Sequence, residues 1–484
     1  MPPEPSPAEE KNNHGVAHRS ARPERVEGRF SSGGPTVAIV GGGLAGLAAG
    51  CALSSSGFQV TLYEGRPYLG GRASSYEHPA TGEIVDNCQH VLFGCCTNLL
   101  EFYKTIGIED RIRWFDRMTF IEPGGRQSVL EPSSLPAPLH VMPSFLAFKF
   151  LNLWDKLMLS RALAALMTRK YNDDGASFQD WLTGHGQTPA AIERFWKPIL
   201  VSALSEDLNR IAIPYAAQVV RESMKSRHAR TMGIPTVPLS HLYDAARDYI
   251  LGHGGAVRLR SRVQWFGPGE TGVRIGLQDS EEQFDYAVLA IPFDQLAKLF
   301  PESAQSQPLR ERIQHFETSP ITGVHFWFDR RFTDLPHAVL LDRTIQWMFH
   351  KSLLLGKDAG GSYIELVISS SKSLIEKSRQ EIMDLALGEL REFFPVAGDA
   401  KVVKATVVKE INATFSPTPG IERHRPSQET PWPRVFLAGD WTATGWPATM
   451  EGAVRSGYLA AQRISGKAFL APELPAKGLM KLWG

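Results

Sequence analysis

Three glycines and one acid carry the first recognisable chemistry of this chain. Gly41, Gly43 and Gly46 stand in a G-x-G-x-x-G spacing. A short apolar, β-branched run (37–40) precedes them, and a stripe at helical spacing follows through Leu44, Leu47, Ala48, Cys51 and Ala52. Gly57 ends that stripe, and a second apolar run closes on Glu64. Strand, tight turn, helix, strand and acid is the order a dinucleotide site requires. Gly41 makes the turn, Gly43 lets the backbone approach a pyrophosphate, and Gly46 lets the helix lie close to the strand. The amides that open the helix, from Leu44 and Ala45 onward, present N–H groups and a positive dipole end to phosphates. Glu64 can accept hydrogen bonds from ribose hydroxyls. Directly after it, Gly70, Gly71 and Arg72 place a permissive backbone beside a fixed cation, which suits a second grip on phosphate. Near the other end, Gly439 and Asp440 form a turn after a strand, and a helix is expected to begin near Met450. Asp440 can bind the hydroxyls of a sugar or ribityl chain. The amides from Met450 through Glu451 to Ala453 can hold partial negative charge. A capped C-terminal helix with no ligand is the alternative.

The elements that must position these groups alternate in type. Residues 83–94 lead a strand into polar groups and then an apolar run. There Asp86 and His90 either face a cofactor or cap a loop. Residues 139–167 are apolar but carry Lys149, Asp155, Lys156 and Arg161, with the helical part expected from Phe145 onward. They read as a buried helix pair or as an amphipathic segment lying on a membrane, where Leu151 and Trp154 would be the residues to change. Residues 195–206 and 212–222 continue the helical region. Residues 254–266 have alternating strand character through Val263, and 284–291 read as a buried strand. Residues 321–328, 363–369 and 402–411 predict an antiparallel sheet in a second domain.

Composition narrows the classes. With 484 residues the chain has room for two or three domains. Fifty-two Lys and Arg nearly cancel 51 Asp and Glu, so no nucleic-acid surface is expected. Cys51, Cys88, Cys95 and Cys96 are too few for a disulfide framework, no Cys/His spacing suggests a metal, and a reducing, cytoplasmic compartment is the expectation. Cys95 and Cys96 read as buried and inert. Residues 1–34 are polar and rich in Pro, Glu, Arg and Ser, and are expected to be a disordered tail. No uninterrupted apolar run is long enough to span a bilayer.

Together these motifs resemble flavoproteins of the amine oxidase and carotenoid desaturase superfamily. The resemblance implies an α/β fold. A split Rossmann-like FAD-binding domain would take 35–110, 236–300 and 430–467. A mixed-sheet substrate domain with a helical, membrane-facing part would take 111–235 and 301–429, and 468–484 would be a tail. It also implies roles. Gly41, Gly43 and Gly46 would hold the pyrophosphate, with Leu44 and Ala45 in the same turn, and Glu64 the adenosine ribose. Gly71 and Arg72 would lie by the phosphates and the Val263 backbone by the adenine. Gly439 and Asp440 would meet the ribityl-phosphate region, and Met450, Glu451 and Ala453 the pyrimidine edge of the flavin.

Three stretches resemble one group more closely, the squalene-associated FAD enzymes of bacterial hopanoid synthesis, which include hydroxysqualene dehydroxylases. They are Asp86-Asn87-Cys88-Gln89-His90-Val91-Leu92-Phe93-Gly94, Phe195-Trp196-Lys197-Pro198-Ile199-Leu200, and 439–453. That likeness implies reductive removal of a hydroxyl from a long isoprenoid, with a transient electron donor and peripheral contact on the inner face of the cytoplasmic membrane. Oxidative carotenoid or squalene desaturation is the alternative, and a flavin-binding escort protein a third. Two positions depart from the wider pattern: Cys88 replaces a frequent glycine, and Thr449 stands where amine oxidases place an aromatic wall. The second departure speaks for a hydrocarbon substrate. Trp327, Phe328, Trp347, Phe349 and Trp446 are candidate neighbours of a transient allylic cation.

Overall fold

The computed structural model describes residues 33–300, 303–357 and 360–483. The expected tail falls outside these except for Gly33 and Gly34. The first elements are β1 (Thr36–Val40), α1 (Leu44–Ser54) and β2 (Gln59–Tyr63). β1 and β2 lie side by side in a five-stranded sheet. Ala256–Arg258 flanks β2, and Tyr286–Leu289 and Val435–Leu437 extend the other side. All four neighbouring pairs are parallel. Parallel strands need crossover connections, so this sheet collects strands from distant parts of the sequence. α1 is buried all round and not only along its expected stripe. The sheet covers one side, and the last helix (Met450–Ser465) lies against the other. A methyl group on Gly457 of that helix would come within 2.2 Å of the Ala45 carbonyl.

A second sheet has seven strands in the order Val402–Phe415, Thr318–Phe328, Ser362–Ser369, Trp347–His350, His337–Leu340, Met118–Ile121 and Gln127–Leu130. The three strands expected to be antiparallel are so, adjacent, with Thr318–Phe328 in the middle. His337–Leu340 pairs parallel to Met118–Ile121, which makes the sheet mixed. One face packs Val324, Phe326, Ile364 and Leu366 against the Arg379–Phe393 helix. That helix starts with a capping box, Ser378 to Glu381, a device worth about 1 kcal/mol. The other face presents Gly323, His325 and Trp327, which stand opposite Val367, Glu365 and Tyr363. Trp347 and Phe349 of the next strand continue that face.

Several boundaries differ from the sequence expectation. The 254–266 stretch is not one strand. It divides into Ala256–Arg258 and Trp265–Pro268, because Arg260 takes a left-handed conformation, φ +54°, and Ser261 donates its N–H to the Glu64 carbonyl at 2.8 Å. Val263 thus lies in the connection and not in a strand. The helical part of 139–167 starts earlier, at Met142, and breaks in two: Met142–Leu146 and Leu153–Thr168. Asn152 causes the restart, since its side chain and that of Asp155 cap each other's backbone N–H. The start of the last helix falls where expected, at Met450, with the Thr449 hydroxyl accepting from Gly452 N–H.

The five aromatics do not gather. Adjacent residues of a strand point to opposite faces, so Phe328 packs with the far core while Trp327 stacks on Tyr363, ring centroids 4.4 Å apart. Trp347 and Phe349 stack at 5.6 Å on the face they share with Trp327. Trp446 lies in the core of the parallel-sheet layer, under Arg455. All four cysteines are buried free thiols, and contact with Cys95 together with burial pushes the Cys96 thiol up.

Candidate functional site

The C-terminal end of the parallel sheet gathers the glycine motif. Gly41 turns at φ +109°, and a methyl on Gly46 would lie 2.0 Å from the Gly41 carbonyl. Only glycine lets α1 leave β1 so closely. At Gly43 the sole neighbour of such a methyl is the Gly71 Cα, 3.8 Å away, so this turn has room for a ligand. The helix that starts at Leu44 and Ala45 has neither a side-chain cap nor an acid in its first turn. Its opening amides fit an outside anion. Glu64 stands at the end of β2 with one oxygen on Gly42 N–H (2.8 Å) and the other on Arg66 N–H (2.7 Å). These bonds hold the carboxylate in place and leave lone pairs for hydroxyl donors. The connection carrying Val263 reaches this point through the Ser261 bond to Glu64.

Gly70 and Gly71 fold over the turn. Gly70 N–H donates to the Gly42 carbonyl at 2.9 Å, and Gly71 is left-handed at φ +63°. Arg72 then reaches across the molecule. Its guanidinium donates to the Ala413 carbonyl at 3.0 Å and to Asp440 Oδ1 at 2.6 Å. The two polar ends of the proposed ribityl-phosphate contact are therefore partners of each other. Gly439 has φ +152° and would press a methyl to 2.4 Å from the Trp441 indole nitrogen. Ser456 of the last helix accepts its N–H at 2.7 Å.

Arg425 is a residue that sequence reading passed over. It is buried and donates to the carbonyls of Asp440 (2.9 Å) and Thr442 (2.5 Å) and to the Thr444 hydroxyl. It braces the loop from Asp440 to Thr444 and also donates to the Tyr215 hydroxyl and Glu422. The Glu451 side chain has a task of its own, apart from the backbone amides expected at a ligand. Its carboxylate accepts from Asn98 N–H, the Asn98 amide and Leu99 N–H, so it caps the Thr97–Thr105 helix. Only its backbone remains for a ligand, with those of Met450 and Ala453.

A buried charge cluster adjoins this cradle. Residues 86–90 run from it toward the mixed sheet, and His90 feels the charges of both Arg72 and Lys351. Lys351 Nζ donates to Asp86 Oδ2 and to Gln89 Oε1, each at 2.6 Å, and lies 3.4 Å from Glu365 Oε2. Asp86 also accepts from the Ser75 hydroxyl (2.5 Å) and Leu239 N–H. Burial by itself would raise the Asp86 pKa. Lys351 and Ser75 outweigh it and hold the carboxyl below its ordinary value. Glu365 has weaker support. It is fully buried, Lys351 Nζ lies 3.4 Å from it, and burial pushes its pKa up to about 7 against the pull of Lys351 and the Gln89 backbone N–H. His325, its cross-strand neighbour, takes a bond from or gives one to the Tyr363 hydroxyl at 2.9 Å, while its Nε2 has no partner. Burial, with the Lys351 charge, drops His325 to about 3 and keeps it neutral. The available sign of this cluster in the sequence is Glu365 itself, a lone acid inside a strand otherwise apolar on both faces.

Among the described residues no group of His, Cys, Asp and Glu is placed to hold a metal, and no helix is long and apolar enough to cross a membrane. The family model described as flavin containing amine oxidoreductase matches residues 44–465. The chain is 28% identical to the 15-cis-phytoene desaturase of Synechococcus elongatus over 461 residues, which covers 88% of this chain and 95% of that protein. It is 28% identical over 472 residues to a probable zeta-carotene desaturase of the same organism, covering 88% and 98%. In fold it matches cyclohexylamine oxidase from Brevibacterium oxydans with a TM-score of 0.67 at 17% identity, covering 90% of this chain and 99% of the other.

Proposed function

We propose, for a chain that belongs to the flavin containing amine oxidoreductase family and is a FAD-dependent oxidoreductase, that it removes the hydroxyl group of a long isoprenoid alcohol, with hydroxysqualene to squalene as the reaction. The observation that carries the choice of a hydrocarbon is Thr449. Its side chain caps the last helix, so no aromatic wall stands there to cage an amine. The stacked pairs Trp327–Tyr363 and Trp347–Phe349 support it with aromatic surface. The reductive direction rests on the three stretches that resemble the dehydroxylase group.

FAD would be held by the residues of the cradle, which suit it. The uncapped α1 terminus and the open Gly43 turn would take the pyrophosphate. Glu64 would take the adenosine ribose, with Val263 beside the adenine. Gly71, Arg72, Gly439 and Asp440 would surround the ribityl-phosphate region, and the backbone of 450–453 would meet the pyrimidine edge. In its reduced form this cofactor supplies a hydride. The protein's own part is to exclude water, align the chain along the aromatic face and aid departure of the hydroxyl. In this reading the FAD domain comprises 35–110, 236–300 and 430–467, and a transient donor outside the chain supplies electrons. Purified protein with reduced FAD and hydroxysqualene, kept anaerobic, is expected to release squalene. Absence of squalene overturns the proposal.

A second reading, oxidative desaturation, is favoured by the names of the relatives, which are desaturases of phytoene and zeta-carotene. Its signature would be growth of a conjugated-polyene absorbance from phytoene with oxidised enzyme and an acceptor.

A substrate of this class resides in a bilayer, and the protein has a surface suited to meet one. Leu153 is 78% exposed and Trp154 60%, with Leu146 and Leu157 half exposed beside Lys149 and Lys156. Leu151 is buried and cannot report on this surface. The C-terminal turn separately exposes Leu482 and Trp483, and Leu479 N–H ties it to the Ala137 carbonyl. Anionic liposomes should sediment the wild type and lose most of a Leu153→Asp, Trp154→Asp variant, roughly tenfold in affinity for two apolar contacts replaced by charge. Equal sedimentation would clear this surface of the role.

A further inference from the structure

The cluster beside the cradle has more carboxylates than cations. It contains one ammonium, Lys351, and two carboxylates, Asp86 and Glu365. Asp86 takes the short bonds from Lys351 and Ser75. A second charged carboxylate beside the same ammonium in a dry site is unfavourable by several kcal/mol, so below about neutral pH the proton stays on Glu365. The groups that face Glu365 from the elements around it are Lys351, Asp86, Cys88, His325 and Tyr363. None is a second cation.

The glutamate is also aimed. Gly323 leaves a notch in the sheet face where a side chain would stand. A methyl there would lie 3.3 Å from His325 Nε2, 3.7 Å from the Asn87 carbonyl and 3.9 Å from Glu365 Oε1. Two of these atoms, on fully buried side chains, have no hydrogen-bond partner. Three polar atoms therefore converge on the point that a Cβ would take, on the face that carries Trp327 and Phe349. Buried polar atoms left bare on this scale call for a partner.

We infer that the Gly323 notch receives the hydroxyl of the substrate and that Glu365 is the catalytic acid that lets it leave. The inference rests on the dehydroxylation reading above. The substrate C–O bond breaks, the Glu365 proton goes to the oxygen, and water departs. The carbon takes the electron pair and hydrogen of the hydride that the reduced cofactor contributes, and Glu365, left as a carboxylate, is reprotonated from solvent through the cluster. Tyr363 can donate to His325 Nδ1, which puts the ring proton on Nε2 and gives the hydroxyl a second donor.

The test joins infrared spectroscopy to turnover. Both flavin-free and flavin-bound protein should show a protonated-carboxyl stretch that fades as pH rises through about 7 and is missing in Glu365→Gln. That isosteric variant should turn over hydroxysqualene about 10²–10⁴-fold more slowly, with its pH dependence above neutrality flattened. Gly323→Ala fills the notch and meets Glu365 Oε1 only at van der Waals distance, 3.9 Å, so it should keep the infrared band while turnover falls. A Glu365→Gln protein that works at the wild-type rate, or a wild type without the band, overturns the assignment while leaving the functional reading in place. A wild type that shows the band but makes no squalene overturns the functional reading and the assignment with it.

Discussion

Replacing Lys351 by methionine is expected to destabilise the folded protein by about 3–5 kcal/mol near neutral pH, the usual cost of leaving a buried charge without its partner. Methionine fills a similar volume, so the loss is electrostatic. Lys351 donates 2.6 Å bonds to Asp86 and Gln89, and both it and Asp86 are almost fully buried. Without it Asp86 and Glu365 face each other as two carboxylates in a dry site. Their folded-state pKa values then both lie above the unfolded ones. The folded protein holds protons that the unfolded chain releases, so stability falls as pH rises. The same is expected of Glu365 in the wild type, where burial raises its pKa from the ordinary 4.5 to about 7. Its share of stability is present at low pH and lost between these two values. Urea unfolding at about pH 5 and about pH 8 separates the contributions. The Lys351→Met deficit should grow between the two, and adding Glu365→Gln should return part of it. A deficit below about 1 kcal/mol, the size of an exposed ion pair, would show that water reaches the cluster.

Gly46→Val is expected to abolish flavin retention and to cost about 3 kcal/mol or more of stability. A Cβ at this position lies 2.0 Å from the Gly41 carbonyl and 3.2 Å from the Ala290 side chain. Backbone cannot give way as a flexible side chain can. α1 would have to move off β1, and it is buried on its other side against the last helix, where Gly457 touches Ala45. The shift would carry the amides of Leu44 and Ala45 away from Gly71 and Arg72. Gly57→Ala is the control. Gly57 is left-handed at φ +91° with open space around it, so alanine pays only backbone strain of about 1–2 kcal/mol. The flavin absorbance of the purified variants decides: colour kept in Gly46→Val would mean that α1 adapts and the close approach is not needed.

Residues 36–64 were legible because each rule that governs them is local. Gly41, Gly43, Gly46 and Glu64 sit within one strand–helix–strand unit, and its turn, helix period and terminal acid are all written at fixed short spacing. The same holds for the helix start at Met450, where Thr449 supplies the cap from the adjacent position. The alternating runs 321–328, 363–369 and 402–411 were legible as strands for the period of two that any sheet imposes.

What lay out of reach was everything set by register and long-range pairing. Arg72 and Asp440 each announce a phosphate or sugar contact, but only folding over 368 positions of chain makes them partners. Glu451 looks like part of a flavin-facing motif, yet the packing of its helix on Thr97–Thr105 turns its carboxylate into a cap. Whether Asp86 meets a loop or a charge depends on the fold bringing Lys351 to it across 265 positions. A one-residue change of register would turn Glu365 and His325 to the far face, against the Arg379–Phe393 helix. The sequence alone determined that a dinucleotide is held, since backbone geometry at glycine and an acid at a strand end suffice for that. The tertiary structure decided what stands beside it: a buried acid of raised pKa, a neutral histidine and a glycine notch on one face of a sheet, assembled from strands whose order no local rule contains.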